Sequence, residues 1–262
     1  VAAANQLRAH LRNVFPGAVG LFADIDSEIT LAFLSRFDTQ DRADWLTTKR
    51  LGDWLTRQGY SGKVDPAVLH QRLLDATRGA TGEHAANQAH ITASYVALLR
   101  TLLEQIKALS AQIDRQLDAH ADTHIFTSLP RSGRVRAARL LAEIGDCRAR
   151  FPTPESLTCL AGAAPSTRQS GKLRAVGFRW SCDKQLRDAV TDFANGSRDA
   201  NPWAADLYDR ARARGHDHAH AVRILARAWL HIIWHCWQDD VPYAPNQHRA
   251  LQRVIAAQAA EG

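Results

Sequence analysis

Between Ala161 and Lys172 the sequence runs AGAAPSTRQSGK, short of apolar side chains and rich in small and polar ones. Two serines stand in it, Ser166 and Ser170, with Arg168, Lys172 and Arg174 close by. A serine hydroxyl is a weak nucleophile until a base takes its proton and nearby charge stabilises what forms on attack. Flanking cations suit a phosphodiester better than an ester or an amide, because guanidinium and ammonium groups bind phosphate oxygens well. Spacing alone equally allows a Ser/Gly-rich surface loop that only holds phosphate, since short motifs often match by chance.

The cations reach well beyond that stretch. From Arg131 to Arg187 there are twelve basic and four acidic residues, a net +8, while the rest of the 262-residue chain carries 21 basic and 23 acidic. Arg131, Arg134, Arg136 and Arg139 form the densest group, and guanidinium forks match a nucleic-acid backbone. An ordinary Arg-rich helix face is the plain alternative. The run SLPRSG from Ser128 to Gly133, followed by Val135, Ala138, Leu140, Leu141 and Ile144-Gly145-Asp146, reads as a helix-hairpin-helix. Such a turn aims backbone N–H groups and a helix N-terminus at a phosphate without reading bases. Gly133 is in place for the turn, and Arg131 stands where a glycine is usual, adding a charge.

Other chemistries find less support. His216, His218, His220, His231 and His235 cluster in sequence, but no HExxH or paired cysteine accompanies them, so packed or capping histidines are expected and no metal site. No glycine-rich nucleotide loop is present. Cys147, Cys159, Cys182 and Cys236 are scattered, which fits free thiols in a reducing cytoplasm. No apolar run approaches the roughly 18–20 residues of a membrane span. No signal peptide opens the chain, so a cytoplasmic protein with no membrane partner is expected. No methionine occurs anywhere, not even at position 1.

These residues must be held by helices. Apolar residues at 45% and charged residues at 23% exclude wholesale disorder. Apolar spacings of three and four recur while strict alternation is scarce, so the fold class is all-α: a helical linker and coiled-coil region, then a compact helical domain carrying the helix-hairpin-helix. The expected division is a helical linker region over 1–82, a coiled-coil helix over 83–120, the compact domain with the hairpin and serine loop over 121–250, and a tail over 251–262. In the first region Ala2–Phe15 is a helix stopped by Pro16-Gly17, and Trp45, Leu46, Leu51, Trp54 and Leu55 are apolar anchors. Asp65-Pro66 and Thr153-Pro154 are helix starts, each a cap residue followed by a first-turn proline. Leu99, Leu102, Ile106, Leu109, Ile113 and Leu117 make a seam close to a heptad, which favours pairing with a second subunit into a homo-oligomer over the plain alternative of a long helix packed within its own domain. Helices are also expected over 183–193, 202–214 and 219–237, the last with an apolar face of Val222, Leu225, Ala226, Trp229, Ile232, Ile233 and Trp237.

Three stretches together resemble a known family: SLPRSGRVRAARLLAEIGDCRARFPTPESLTCLAGAAPSTRQSGK, then CDKQLRDAV, then RARARGHDHAHAVRILARAW. Their order is similar to the C-terminal part of the DEDD transposases of the insertion-sequence one-hundred-ten class, whose guided members are known as bridge recombinases. The likeness covers essentially the whole chain, with residues 1–120 looking like the linker and coiled-coil part and the first eighty residues carrying it least. It implies DNA as the partner, with a structured guide RNA as a further one, and DNA transposition or recombination as the activity. It implies a serine that attacks the DNA backbone and forms a covalent intermediate: by position Ser170, with Ser166 second. Arg168, Lys172 and Arg174 then become phosphate contacts. In the family four acidic residues of an N-terminal RuvC-like domain bind divalent metal. This chain begins about where the linker begins, so that domain and its Mg are expected outside it, and the missing methionine agrees. Asp146, Glu155 and Asp183 do not replace the quartet: one lies at a helix end, one in a first turn, one at a helix start. No cofactor is expected in the chain itself, which is expected to bind nucleic acid without cutting it when alone. The rival readings are a non-catalytic helix-hairpin-helix module and a helical scaffold that recruits partners through its coiled coil.

Overall fold

A computed structural model describes residues 1–170 and 173–261, with the side chains of Arg168, residues 173–176 and residue 261 outside the description. The chain divides into two compact units, Val1–Ala108 and Leu109–Gly262. The division falls inside one long helix rather than at its end.

In the first unit the helices are α1 (Ala2–Val14), α2 (Glu28–Arg36), α3 (Gln40–Asp44), α4 (Thr48–Arg57), α5 (Pro66–Asp75) and the first part of α6 (Gly82–Ala119). Local chemistry starts them where the sequence says. Ser27, Thr39, Thr47 and Asp65 each accept a backbone N–H of the helix they precede, satisfying donors that have no intrahelical partner. Leu7, Leu11, Phe15, Phe33, Leu34 and Leu51 form the heart of this unit's core. Phe33 meets the rings of Phe15, Phe22, Phe37 and Trp54. Trp45 is not one of the anchors. It is exposed, and the Arg50 guanidinium lies 3.9 Å from its ring centre, an alternative to burial that the indole face supports.

The second unit holds the end of α6, then α7 (Thr123–Thr127), α8 (Gly133–Ile144), α9 (Pro154–Leu160), β1 (Ser166–Ser170), β2 (Leu173–Gly177), α10 (Lys184–Ser197), α11 (Pro202–Ala213), α12 (His218–Gln238) and α13 (Arg249–Glu261). Helix α12 is central and packs on α7, α9, α10 and α11. Its buried face is the expected one, with Ile232 at its edge. Trp229 is enclosed by Phe193, Trp203 and Tyr243, and its indole N–H donates to Ser197 Oγ at 2.8 Å. Residues expected as a tail are helical, because Leu251 is buried in the core and Val254, three residues on, packs beside it.

The serine-bearing loop is a two-stranded antiparallel hairpin, the only sheet among the described residues. STRQS and LRAVG lack the 3.6-residue apolar stripe a helix would bury, and Thr167 and Val176 favour strand. The fold class stays all-α. On α6 the seam is split in character. Leu99 and Leu117 are buried, each within its own unit, whereas Leu102, Ile106, Leu109 and Ile113 lie between them at 36–59% exposure.

Candidate nucleic-acid interface

Helices α7 and α8 pack on one another across the turn 128–132. Arg131 adopts φ 54°, the left-handed region that an L side chain occupies at a cost of roughly 1–2 kcal/mol, and Gly133 has φ 56°. The residue standing where glycine is usual therefore takes the backbone conformation glycine would favour. Ser132 is buried between them, its Oγ without a hydrogen-bond partner among the described residues. Ala137, Leu140, Leu141 and Ile144 seat α8 in the core, leaving Arg134 and Arg139 on the exposed side.

The arginines of this helix are unequal. Arg134 donates to Asp114 (2.6 Å) and to Asp118, both on α6. Arg136 pairs with Asp192 of α10 at 2.8 Å, and Arg131 lies 3.5 Å from Asp199. Among the described residues no carboxylate pairs with Arg139. Much of the net +8 is thus locally balanced by acids from outside the basic segment, which a count along the sequence could not reveal.

In the hairpin Ser170 pairs with Leu173 and Ser166 with Gly177. Ser170 is exposed at the far end of the ladder and Ser166 is half-buried at its foot. Four residues of strand separate them by about 13 Å, so the two hydroxyls cannot address one phosphorus. Strand alternation puts both on one face. Lys172 lies outside the described residues, as do the side chains of Arg168 and Arg174.

The foot is held firmly. Thr153 Oγ1 accepts from Ser156 N–H to start α9, and Asp183 Oδ1 accepts from the N–H groups of Gln185 and Leu186 to start α10. Asp183 N–H in turn donates to Leu160 O at 2.8 Å, stapling the chain leaving the hairpin to the helix before it. Gly162 sits at this crossing with φ +65°, and a Cβ there would lie 2.8 Å from Cys182 Sγ. Gly162→Ala is therefore expected to cost about 2–4 kcal/mol from strain and overpacking. Thermal unfolding checks this: a melting point within a degree of the parent would show that the crossing is slack.

Beside the foot is a cavity of about 470 Å³ lined by Gly162 to Pro165 together with Arg179, His220, Arg223 and Arg227. Sequence reasoning passed over the two α12 arginines, although their spacing of four puts them on one helix face. Phe178 underlies the group, with the Arg223 guanidinium 4.7 Å from its ring centre.

Asp146 is exposed just past α8, Glu155 lies in the first turn of α9, and Asp183 is an N-cap. Among the described residues no three His, Cys, Asp or Glu side chains are grouped to hold a metal ion. His218 instead meets the Tyr208 hydroxyl at 2.8 Å, and the rings of His216 and His220 lie 4.2 Å apart. All four cysteines are free thiols, and no described helix is long and apolar enough to cross a membrane.

The part of the chain that carries the serine-bearing hairpin is also the part that a family model matches. Residues 123–209, which include α7, α8 and the hairpin, match the family model described as Transposase IS116/IS110/IS902 family. The chain is 32% identical over 264 residues to the candidate transposase of the IS117 mini-circle of Streptomyces coelicolor, covering 97% of this chain and 61% of that protein. It is 34% identical over 154 residues to an uncharacterised 43.6 kDa protein of insertion element IS110 from the same organism, covering 58% of this chain and 38% of that one. A 42 kDa uncharacterised protein of insertion element IS900 from Mycobacterium paratuberculosis is 32% identical over 181 residues, 64% of this chain and 45% of its own length. The chain is thus similar over residues 123–209 to transposases of the IS116/IS110/IS902 family, and it spans about three-fifths of the length of the IS117 relative.

Proposed function

We propose that this chain is the DNA-engaging, serine-bearing part of an insertion-sequence transposase, with Ser170 as the nucleophile. The observation that carries the reading is the placement of Ser170: exposed at the far end of a hairpin whose foot is stapled into a helical core, within the stretch that matches the transposase family. On attack, an ester bond forms between Ser170 Oγ and the DNA phosphorus. A bridging P–O bond breaks, and the oxygen it releases takes up a proton in place of the one Ser170 gives up, leaving as a hydroxyl. Ser166 is too deep and too far along the strand to substitute. The described residues offer no seat for the divalent metal that the resemblance implies, so no step is routed through one, and we assign that chemistry to a complementary RuvC-like acidic domain. Substituting Ser170 by Ala, with that domain supplied, tests the reading by strand transfer.

The turn between α7 and α8 supports a second reading, a non-catalytic module that grips phosphate through Gly133 and the start of α8. In it Ser170→Ala leaves every measurable function intact. Binding to a structured RNA beside DNA tests the guide-RNA partner.

The four exposed seam residues of α6 support self-association, since an apolar stripe of this length in water favours a matching helix. Ile106→Glu combined with Leu109→Glu is expected to convert the oligomer to monomer in sedimentation experiments. A parent chain that is monomeric across the micromolar range would contradict this.

A further inference from the structure

We propose that the cavity beside the hairpin foot seats a backbone phosphate of an unpaired stretch of DNA, and that Trp180 stacks on the neighbouring base. This rests on the reading of the chain as one that engages DNA, and it adds residues which neither the sequence motifs nor the comparisons assign.

Three observations carry it. First, the cations here are unbalanced. Unlike Arg134, Arg136 and Arg148, none of Arg179, Arg223 and Arg227 forms an ion pair among the described residues. Asp217 feels the charge of Arg223 but is engaged as the N-cap of α12, accepting from His220 N–H at 2.7 Å. Asp188 and Asp192, which line a neighbouring cavity that Arg223 also borders, pair with Arg187 and Arg136. Second, Arg179 Nε is buried without a hydrogen-bond partner among the described residues, while its Nη2 makes there only a long 3.4 Å contact to Pro165 O. A buried cationic donor left unmatched is costly, and an anion entering the cavity relieves it. Third, the cations are interleaved with aromatic rings. Phe178 supports Arg223, and Trp180 meets Phe178 edge-on at 4.8 Å while remaining 78% exposed. An indole held in place from one side with its surface in water is a stacking platform, and cations beside aromatic platforms are how proteins hold single strands.

His220 adds a neutral hydrogen-bonding group. Burial first, then the charges of His216 and Arg223, holds its imidazole below the usual histidine range. The foot lies about 13 Å from Ser170 along the ladder, a length that only a few nucleotides of an opened strand span. A strand gripped at the foot therefore passes the nucleophile a few nucleotides away. A duplex would bury its bases from Trp180, whereas an opened strand presents them.

The test uses the full chain with a labelled single-stranded 12-mer DNA, the matching duplex and the matching RNA across a salt series. Arg223→Gln with Arg227→Gln is expected to weaken single-strand DNA binding at least tenfold and to lower the salt slope by about 0.7 for each phosphate no longer neutralised. Trp180→Ala should weaken it about 5- to 100-fold, with duplex binding changed less than twofold. The Arg223→Lys, Arg227→Lys pair, which keeps charge, and circular dichroism of each variant separate loss of the site from loss of fold. Unchanged single-strand affinity in both kinds of variant overturns the proposal, as does equal loss on duplex and single strand, which marks a generic basic surface. RNA bound tenfold more tightly than DNA overturns DNA as the source of the strand. A parent chain that binds neither DNA form at low salt brings down the DNA-engaging reading itself, and the seat with it.

Discussion

Ser170→Ala is expected to lower strand transfer by roughly 10³-fold or more when a complete metal-binding partner domain is present, and to leave DNA affinity within about twofold. The size follows from the role. Removing the attacking atom of a covalent mechanism leaves only the positioning and charge stabilisation of the remaining groups, and losses of this order or larger are usual for nucleophiles. Affinity is spared because Ser170 is one uncharged hydroxyl at the end of a hairpin, while the proposed phosphate contacts are cations. Ser166→Ala is the control. At about 13 Å along the strand from Ser170 it should leave strand transfer within a few-fold of the parent. A Ser170→Ala variant that transfers strands at the parent rate would remove the nucleophile assignment, and a Ser166 variant that is dead would move it.

The second large effect is structural and lies far from the hairpin. Asp122 is 4% exposed and accepts the indole N–H of Trp237 at 3.0 Å and an Nη of Arg148 at 2.9 Å. Arg148 also donates to the backbone carbonyl of Trp237 at 2.8 Å, so one carboxylate ties the segment before α7 to the end of α12. Asp122→Ala strands a buried indole N–H and leaves the half-buried Arg148 guanidinium with the Trp237 carbonyl and the exposed Asp240, 3.5 Å away. It is expected to destabilise the second unit by about 2–4 kcal/mol. Burial by itself raises the Asp122 carboxyl. The hydrogen bonds from Arg148 and Trp237, with the charges of Arg148 and His120, outweigh it and hold the pKa below the usual value. The stabilisation is therefore complete above the ordinary carboxylate pKa of about 4 and is lost as pH falls through the lower folded value. Denaturant unfolding between pH 7 and pH 2.5 checks the sign. The parent should lose stability below about pH 4 more steeply than Asp122→Asn, and parallel profiles would show that the carboxylate carries no such linkage.

The helices and their starts were legible because their signals are local. A threonine or aspartate before a proline or a polar first turn caps a helix wherever it occurs, as Thr153, Asp65 and Asp183 do. The long seam was legible as helix from its spacing, but not which of its residues would be covered: Leu99 and Leu117 are buried by residues distant in sequence, and the four between are not. The hairpin was missed because five-residue strands leave too short a pattern to tell from a loop. The cation cluster was visible as a count and not as a field, since the acids that balance Arg134 and Arg136 come from α6 and α10. Arg223 and Arg227 went unnoticed for the opposite reason. They sit in a helix whose apolar face dominates its reading, and only the hairpin folded beside them makes a cavity of their exposed side.

Of all the measurements, mapping the covalent link tests the central claim most directly. A DNA substrate carrying a nick that prevents religation would trap the intermediate on the chain, with the complementary domain supplied, and digestion followed by mass spectrometry would locate the phosphoester. The account predicts a nucleotide-modified peptide with the bond at Ser170. A bond at Ser166, at a tyrosine or at any other residue would contradict it, as would strand transfer proceeding with no protein–DNA link at all.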